Sequence, residues 1–153
     1  MDFSRLAIIR EKRELSQRQV AKILGVSKST YARWETMEEI IPLNHLNNYC
    51  KHFKVTMDYL LNLTDDNFYF NYRYSKEMNK KVIGKNVQII RRKNKITQKE
   101  LAEMFNTSQS TVSAYENGKT LVLTVFIYSL AVKFNLSVDK LCGRTKNKNY
   151  IYN

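Results

Sequence analysis

The feature that most constrains this chain is an internal repeat. Gln17 and Gln98 lie 81 positions apart, and that single offset aligns two long stretches without a gap. It pairs Ile8-Ile9-Arg10 with Ile89-Ile90-Arg91, Ala21 with Ala102, Ser27 with Ser108, Ser29-Thr30 with Ser110-Thr111, and Glu35 with Glu116. Further along it pairs Phe53 with Phe134, Asp58 with Asp139 and Leu60 with Leu141. A register held over ~58 residues marks a tandem duplication. A unit of roughly 60–70 residues has just enough interior for one small core. The 153-residue chain therefore reads as two small domains.

Each copy reads as five short helices. The apolar residues Leu6, Ile8 and Ile9 stripe a first helix ending near Glu14. Ser16 followed by Gln19 makes a capping box that starts the second helix, and Thr97 followed by Glu100 repeats it. This helix carries Val20, Ile23 and Leu24, or Leu101, Met104 and Phe105 in the second copy. It stops at Gly25 or Asn106, residue types that tolerate a left-handed turn. Ser27 or Ser108 then caps a third helix, Lys28 to Glu35 or Gln109 to Glu116. A fourth runs from Leu43 to Phe53 (Thr124 to Phe134), and a short fifth from Thr56 to Leu61 (Ser137 to Cys142). The expected fold is all-α, with a first domain over 1–66, an aromatic connector over 67–79, a second domain over 80–144 and a basic tail over 145–153.

Two helices joined by a three-to-four-residue turn, the second capped by Ser, form a helix-turn-helix. Ala21 and Ala102 leave room for the third helix to cross closely over the second, with Tyr31 or Val112 packed inward. The motif runs Ser16-Gln17-x-x-Val20-Ala21-x-x-x-Gly25-Val26-Ser27 in the first copy. In the second it runs Thr97-Gln98-x-x-Leu101-Ala102 through Ser108-x-x-x-Val112-x-x-Tyr115-Glu116-Asn117-Gly118-Lys119. On these residues the chain resembles the lambdoid phage repressor and Cro family of XRE-type domains, over residues 3–66 and 80–144.

The resemblance implies two tandem five-helix, lambda-repressor-like domains whose third helices enter the major groove of double-stranded DNA. Lys28, Ser29 and Arg33 in the first copy, and Gln109, Ser110 and Ser113 in the second, are then the base-reading residues. Arg and Lys donate to guanine O6 and N7, Gln pairs with adenine, and Ser donates or accepts. The plain alternative is a solvated helix face. Gln17 and Gln98 would bond phosphate at a helix start, and Asn117 and Lys119 would approach the sugar-phosphate chain after the third helix. Thr30 and Thr111 have two open readings, a phosphate bond or a bond back to their own helix. Arg10 with Glu35, and Arg91 with Glu116, are implied as structural ion pairs tying first helix to third.

The implied function is a sequence-specific transcriptional regulator, a repressor that excludes polymerase at a bacterial or mobile-element promoter. The alternative is a protein-interaction module, an antitoxin or docking adaptor, whose first domain mediates dimerisation or partner binding.

Charge separates the copies. The chain is formally +12 at pH 7, but residues 1–66 hold 10 basic and 9 acidic side chains while residues 81–153 hold 13 and 4. Phosphate neutralisation supplies much of DNA affinity, so the second copy is the better anchor. Lys93, Lys95, Lys99, Lys119 and the Arg144-Thr145-Lys146-Asn147-Lys148 tail are its candidate backbone contacts. The first copy has Thr36-Met37-Glu38-Glu39 where the second has Asn117-Gly118-Lys119-Thr120, and its carboxylates oppose a phosphate. One reading keeps the first copy as a base reader that leans on the second; the other makes it an interaction module packed around Tyr31 and Trp34.

In the connector, Phe68, Phe70, Tyr72 and Tyr74 alternate with Tyr69, Asn71 and Arg73, a strand-like period. It packs on its own domains, pairs with a second chain in a homodimer, or stacks on unpaired bases. Thirteen extended residues reach at most ~43–47 Å, enough for the ~34–36 Å between successive half-sites.

Catalytic constellations are missing from the sequence. His45, Cys50 and His52 share a helix but have no evident fourth ligand, and zinc usually takes four. Asp65-Asp66 reads as a helix-terminal loop, and the stretches Leu121–Leu123 and Val125–Ile127 read as core, as do Tyr49, Phe53 and Phe134. No enzyme activity, metal, cofactor or small-molecule ligand is expected. The longest apolar run, Leu121 to Tyr128, is too short for a membrane helix, and Met1-Asp2-Phe3-Ser4-Arg5 lacks the order of a secretory signal. Cys50 and Cys142 read as reduced and buried, which fits a cytoplasmic, nucleoid-associated protein.

Overall fold

The computed structural model describes residues 1–67 and 77–145, whose regular elements are all helices. The chain divides into two compact units, Met1–Tyr74 and Ser75–Asn153. The first holds α1 (Ser4–Lys12), α2 (Gln17–Leu24), α3 (Lys28–Glu35), α4 (Leu43–Phe53) and α5 (Met57–Leu60). The second holds α6 (Lys80–Lys93), α7 (Gln98–Met104), α8 (Gln109–Glu116), α9 (Thr124–Phe134) and α10 (Val138–Leu141). The readings of the connector fall on residues 68–76, and those of Lys146 and Lys148 on the tail; both segments lie outside the described residues.

Local chemistry starts and stops these helices. Both capping boxes are formed: the Ser16 hydroxyl accepts from Gln19 N–H while Gln19 Oε1 accepts from Ser16 N–H at 2.8 Å, and Thr97 and Glu100 do the same at 2.7 Å. The backbone turns left-handed after α2 at Gly25 (φ 70°) and after α7 at Asn106 (φ 51°). Thr56 and Ser137 cap α5 and α10 from just outside rather than opening them. Helix α1 stops at Lys12, two residues short of Glu14, which is itself left-handed (φ 54°).

Each unit closes around its own core at matched positions. Leu6, Val20, Tyr31, Leu46 and Leu60 are fully buried in the first, and Val87, Leu101, Val112, Ile127 and Leu141 take the same places in the second. Burial of such a side chain contributes roughly 1.5–3 kcal/mol. An aromatic contact recurs as well: Trp34 meets His45 and Tyr115 meets Phe126, both with ring centroids 5.1 Å apart.

Some apolar residues read as core are not. Ile8 and its match Ile89 are exposed, as are Ile23 and Met104. In a helix of 3.6 residues per turn, Ile8 sits about 200° round from Leu6, so the two cannot share the inward stripe. Leu123 and Val125 are exposed too, whereas Val122, Phe126 and Ile127 around them are buried.

The units differ most at the start of α6. That helix begins at Lys80, although the register that opens α1 at Ser4 falls on Lys85. The extra turn crosses the end of α8 at contact distance. A Cβ on Gly84 would stand 2.0 Å from the Tyr115 carbonyl oxygen, so only glycine lets the backbones meet. At the matched place in the first unit Phe3 is buried in the core instead.

Candidate nucleic-acid interface

The candidate interface rests on a matched triad in each unit. Arg10 on α1 makes a forked contact with Glu35 at the end of α3, Nε to Oε1 at 2.6 Å and Nη2 to Oε2 at 3.1 Å. Gln17, the first residue of α2, donates from Nε2 to Glu35 Oε2 at 2.8 Å. In the second unit Arg91 reaches Glu116 at 2.5 and 2.9 Å, and Gln98 donates to Glu116 at 2.9 Å. Arg10 and Arg91 also donate to the carbonyls of Leu15 and Ile96, in the turns before α2 and α7. One carboxylate thus holds three helices in a set relation.

Electrostatics follow from that geometry. Burial pushes the Glu35 and Glu116 carboxyls up, but the hydrogen bonds from arginine and glutamine outweigh it and hold both below the ordinary value of 4.5. The hydrogen bond to glutamate raises Arg10 and Arg91 against the opposing effect of burial.

With α1 and α2 tied to it, α3 turns Tyr31 and Trp34 inward and leaves Lys28, Ser29 and Arg33 exposed. Helix α8 turns Val112, Tyr115 and Glu116 inward and leaves Gln109 and Ser110 exposed. Ser27 caps α3 by accepting from Thr30 N–H at 3.0 Å, and its hydroxyl meets those of Ser29 and Thr30 at 2.9 Å. Ser108 repeats the cluster with Ser110 and Thr111 at 2.8 Å. The hydroxyls of Thr30 and Thr111 therefore meet their cap serines, a third arrangement beside the two open in the sequence.

Ser113 is half-buried, and Asn117 Nδ2 donates to its carbonyl at 2.9 Å and contacts its Oγ at 3.3 Å. That carbonyl also accepts from Asn117 N–H at 3.0 Å, so Asn117 braces the last turn of α8 through both its backbone and its side chain. Gly118 follows, buried and left-handed (φ 63°), and Lys119 is exposed.

In the first unit, Arg33 Nη1 lies 3.1 Å from Glu39 Oε1, and Thr36 donates to Glu38 at 3.0 Å. Carboxylates therefore stand around the end of α3, where the second unit has Lys119. Arg144, expected from the sequence among the candidate backbone contacts, is instead buried with its Nε 3.5 Å from Asp139. The matched acids Asp58 and Asp139 are both buried, and the repetition of an acid at one offset is the sequence signal that corresponds to it.

His45 and His52 lean on Trp34 and Phe53, and Cys50 and Cys142 are buried thiols. Among the described residues no three His, Cys, Asp or Glu side chains converge on a metal site, and no helix is long and apolar enough to cross a membrane.

Comparison with known proteins identifies the repeated unit. A family model described as Helix-turn-helix matches twice, over residues 6–60 and 87–141. The chain is 37% identical over 68 residues to an antitoxin, PezA, of Streptococcus pneumoniae, which covers 44% of this chain and 43% of that protein. It is 36% identical over 66 residues to an uncharacterized HTH-type transcriptional regulator, YobD, of Bacillus subtilis, covering 43% of this chain and 59% of the relative. The chain thus spans about half the length of the curated relatives it matches. Among solved structures it is similar to the clp gene regulator ClgR of Corynebacterium glutamicum, at TM-score 0.39 and 22% identity, over 44% of this chain and 71% of that one.

Proposed function

This chain belongs to the XRE-type helix-turn-helix family, whose unit it carries twice, and from that premise we propose that it is a sequence-specific double-stranded DNA-binding regulator that represses a promoter by occupying it. The observation that carries the reading is the presentation of α8. Its inward face is buried in its own unit while Gln109 and Ser110 at its start are exposed, and Lys119 is exposed at its end. Base edges would be read by Gln109, Ser110 and Ser113, and by Lys28, Ser29 and Arg33 of the first unit. Backbone positioning falls to Gln17, Thr30, Gln98, Thr111, Asn117 and Lys119. Gln17 and Gln98 would hold phosphate with the part of the amide not committed to glutamate.

A second reading is favoured by a specific observation in the first unit. Arg33 is paired with Glu39 and the end of α3 is acidic, and one relative is named as an antitoxin. In that reading the first unit docks a partner protein or a second copy of the chain, and only the second unit holds DNA.

Selection of bound sequences from a random duplex pool tests the proposal. Enrichment of one defined site by the full chain supports it, and the symmetry and length of that site report whether one or both units read DNA. Retention of duplex without enrichment of any sequence would overturn the specific-regulator reading.

A further inference from the structure

The first turn of α6 is not used by the helix-turn-helix reading, and it places two lysines against the turn that ends α8. We propose that Lys80 and Lys81 form, with Lys119, a DNA-backbone clamp on the second unit. The proposal rests on the DNA-binding reading above and assigns to it contacts outside the helix-turn-helix.

Geometry comes first. Lys80 Nζ donates to the Lys119 carbonyl oxygen at 3.0 Å. Lys81 lies directly over Gly118: a Cβ on that glycine would meet Lys81 Cγ at 2.8 Å and its Cα at 2.9 Å. The turn is itself fixed, since Asn79 Oδ1 accepts from Lys81 and Val82 N–H at 3.1 and 3.2 Å, and Gly84 seats the helix on Tyr115. Lys80 through its ammonium, Lys81 through its backbone and Cγ, and Lys119 as the next residue therefore gather around one buried glycine, and all three are exposed. Charge agrees, because Glu77 is the sole acidic residue between positions 77 and 85 and it precedes the helix.

Position selects the partner. A chain that leaves the major groove must cross the sugar-phosphate backbone, and the Asn117–Lys119 turn is where this chain leaves α8. Cations gathered there meet a polyanion whose charges recur every few ångströms. The competing role is purely structural: an ammonium near the C-terminus of α8 offsets the helix dipole and would add stability alone.

Salt-dependent duplex binding by the full chain separates the two. The K80Q/K81M variant removes both charges while methionine keeps most of the packing over Gly118. Its log–log salt slope is expected to flatten by about 1.8, two contacts at roughly 0.9 each, with selected and random duplexes weakened alike. The charge-preserving K80R/K81R variant should restore the slope. An unchanged slope in K80Q/K81M, beside a flattened one in K119Q, overturns the clamp whatever happens to the melting point. Failure of K80R/K81R to restore it does the same. Absence of any duplex binding by the unsubstituted chain would instead defeat the DNA-binding reading, and the clamp with it.

Discussion

Arg33 Nη1 and Glu39 Oε1 stand 3.1 Å apart in the first unit, both side chains about half exposed. The matched residues of the second unit, Ala114 and Thr120, carry no charge. The side chain of α3 best suited to guanine is thus held by a carboxylate from its own chain, which base reading by Arg33 would have to displace.

Replacing Glu39 by Gln should release Arg33. An exposed pair of this kind contributes about 0–1 kcal/mol, so duplex affinity should rise by no more than roughly fivefold on the same scale, with a steeper salt dependence. Mobility shift at low ionic strength measures this. No change in either affinity or salt dependence would place α3 away from DNA and favour the docking role of the first unit.

Readers and positioners should separate by sequence preference. Arg33→Ala and Gln109→Ala should each cost about 1–3 kcal/mol on the preferred site and relax choice at one base pair. Lys119→Ala should weaken all duplexes alike and flatten the salt slope by about 0.9. Identical, sequence-independent losses from all three would mean that the reading assignment is wrong.

Glu116 should prove structural before it proves functional. Its side chain is fully buried against Arg91, so Glu116→Ala leaves a guanidinium without its carboxylate and should cost about 3–5 kcal/mol. Glu116→Gln keeps a hydrogen-bond acceptor and should cost less. Chemical denaturation followed by circular dichroism checks both, and two units need not unfold in one step, so the transition of the second unit alone should shift.

The same carboxylates set an acid limit. Glu35 and Glu116 titrate lower in the folded chain than when unfolded. The stability they contribute is therefore present above the ordinary value of 4.5 and lost as pH falls through their lowered folded values. Denaturation midpoints should drop on acidification below that value, and Glu116→Gln should remove part of the drop. A midpoint equally pH-dependent in the variant would contradict the assignment.

Gly84→Ala offers the sharpest structural test. Alanine within a helix ordinarily gains up to about 1 kcal/mol over glycine, but here its methyl would meet the Tyr115 carbonyl. The substitution should destabilise the second unit and loosen α6 from α8. A stabilised variant would show that the close crossing is not formed in solution.

Much of this could be read from the residues in order. Capping boxes, cap serines and the left-handed positions after α2 and α7 are local, each decided by atoms within four residues, and α3 and α8 fall where those signals put them, whereas α4 and α9 start without a side-chain cap. Apolar spacing was less reliable where a run is longer than its inward stripe, as at Ile8, Leu123 and Val125. The fate of charged groups was least legible. Arg144 looked like tail and is buried on Asp139, while Arg33 looked like a ready base reader and is paired with Glu39.

The offset of 81 residues by itself determined that this protein is a duplication, and the caps within each copy determined its helices, because both depend on neighbours along the chain. The resemblance already pointed to Arg10 with Glu35, but the partner of Lys80 was decided only in three dimensions. Lys80 finds Lys119 across 39 positions. Contacts of that span exist only after the helices have packed, since the distance between such groups is set by the fold and not by their separation in the chain.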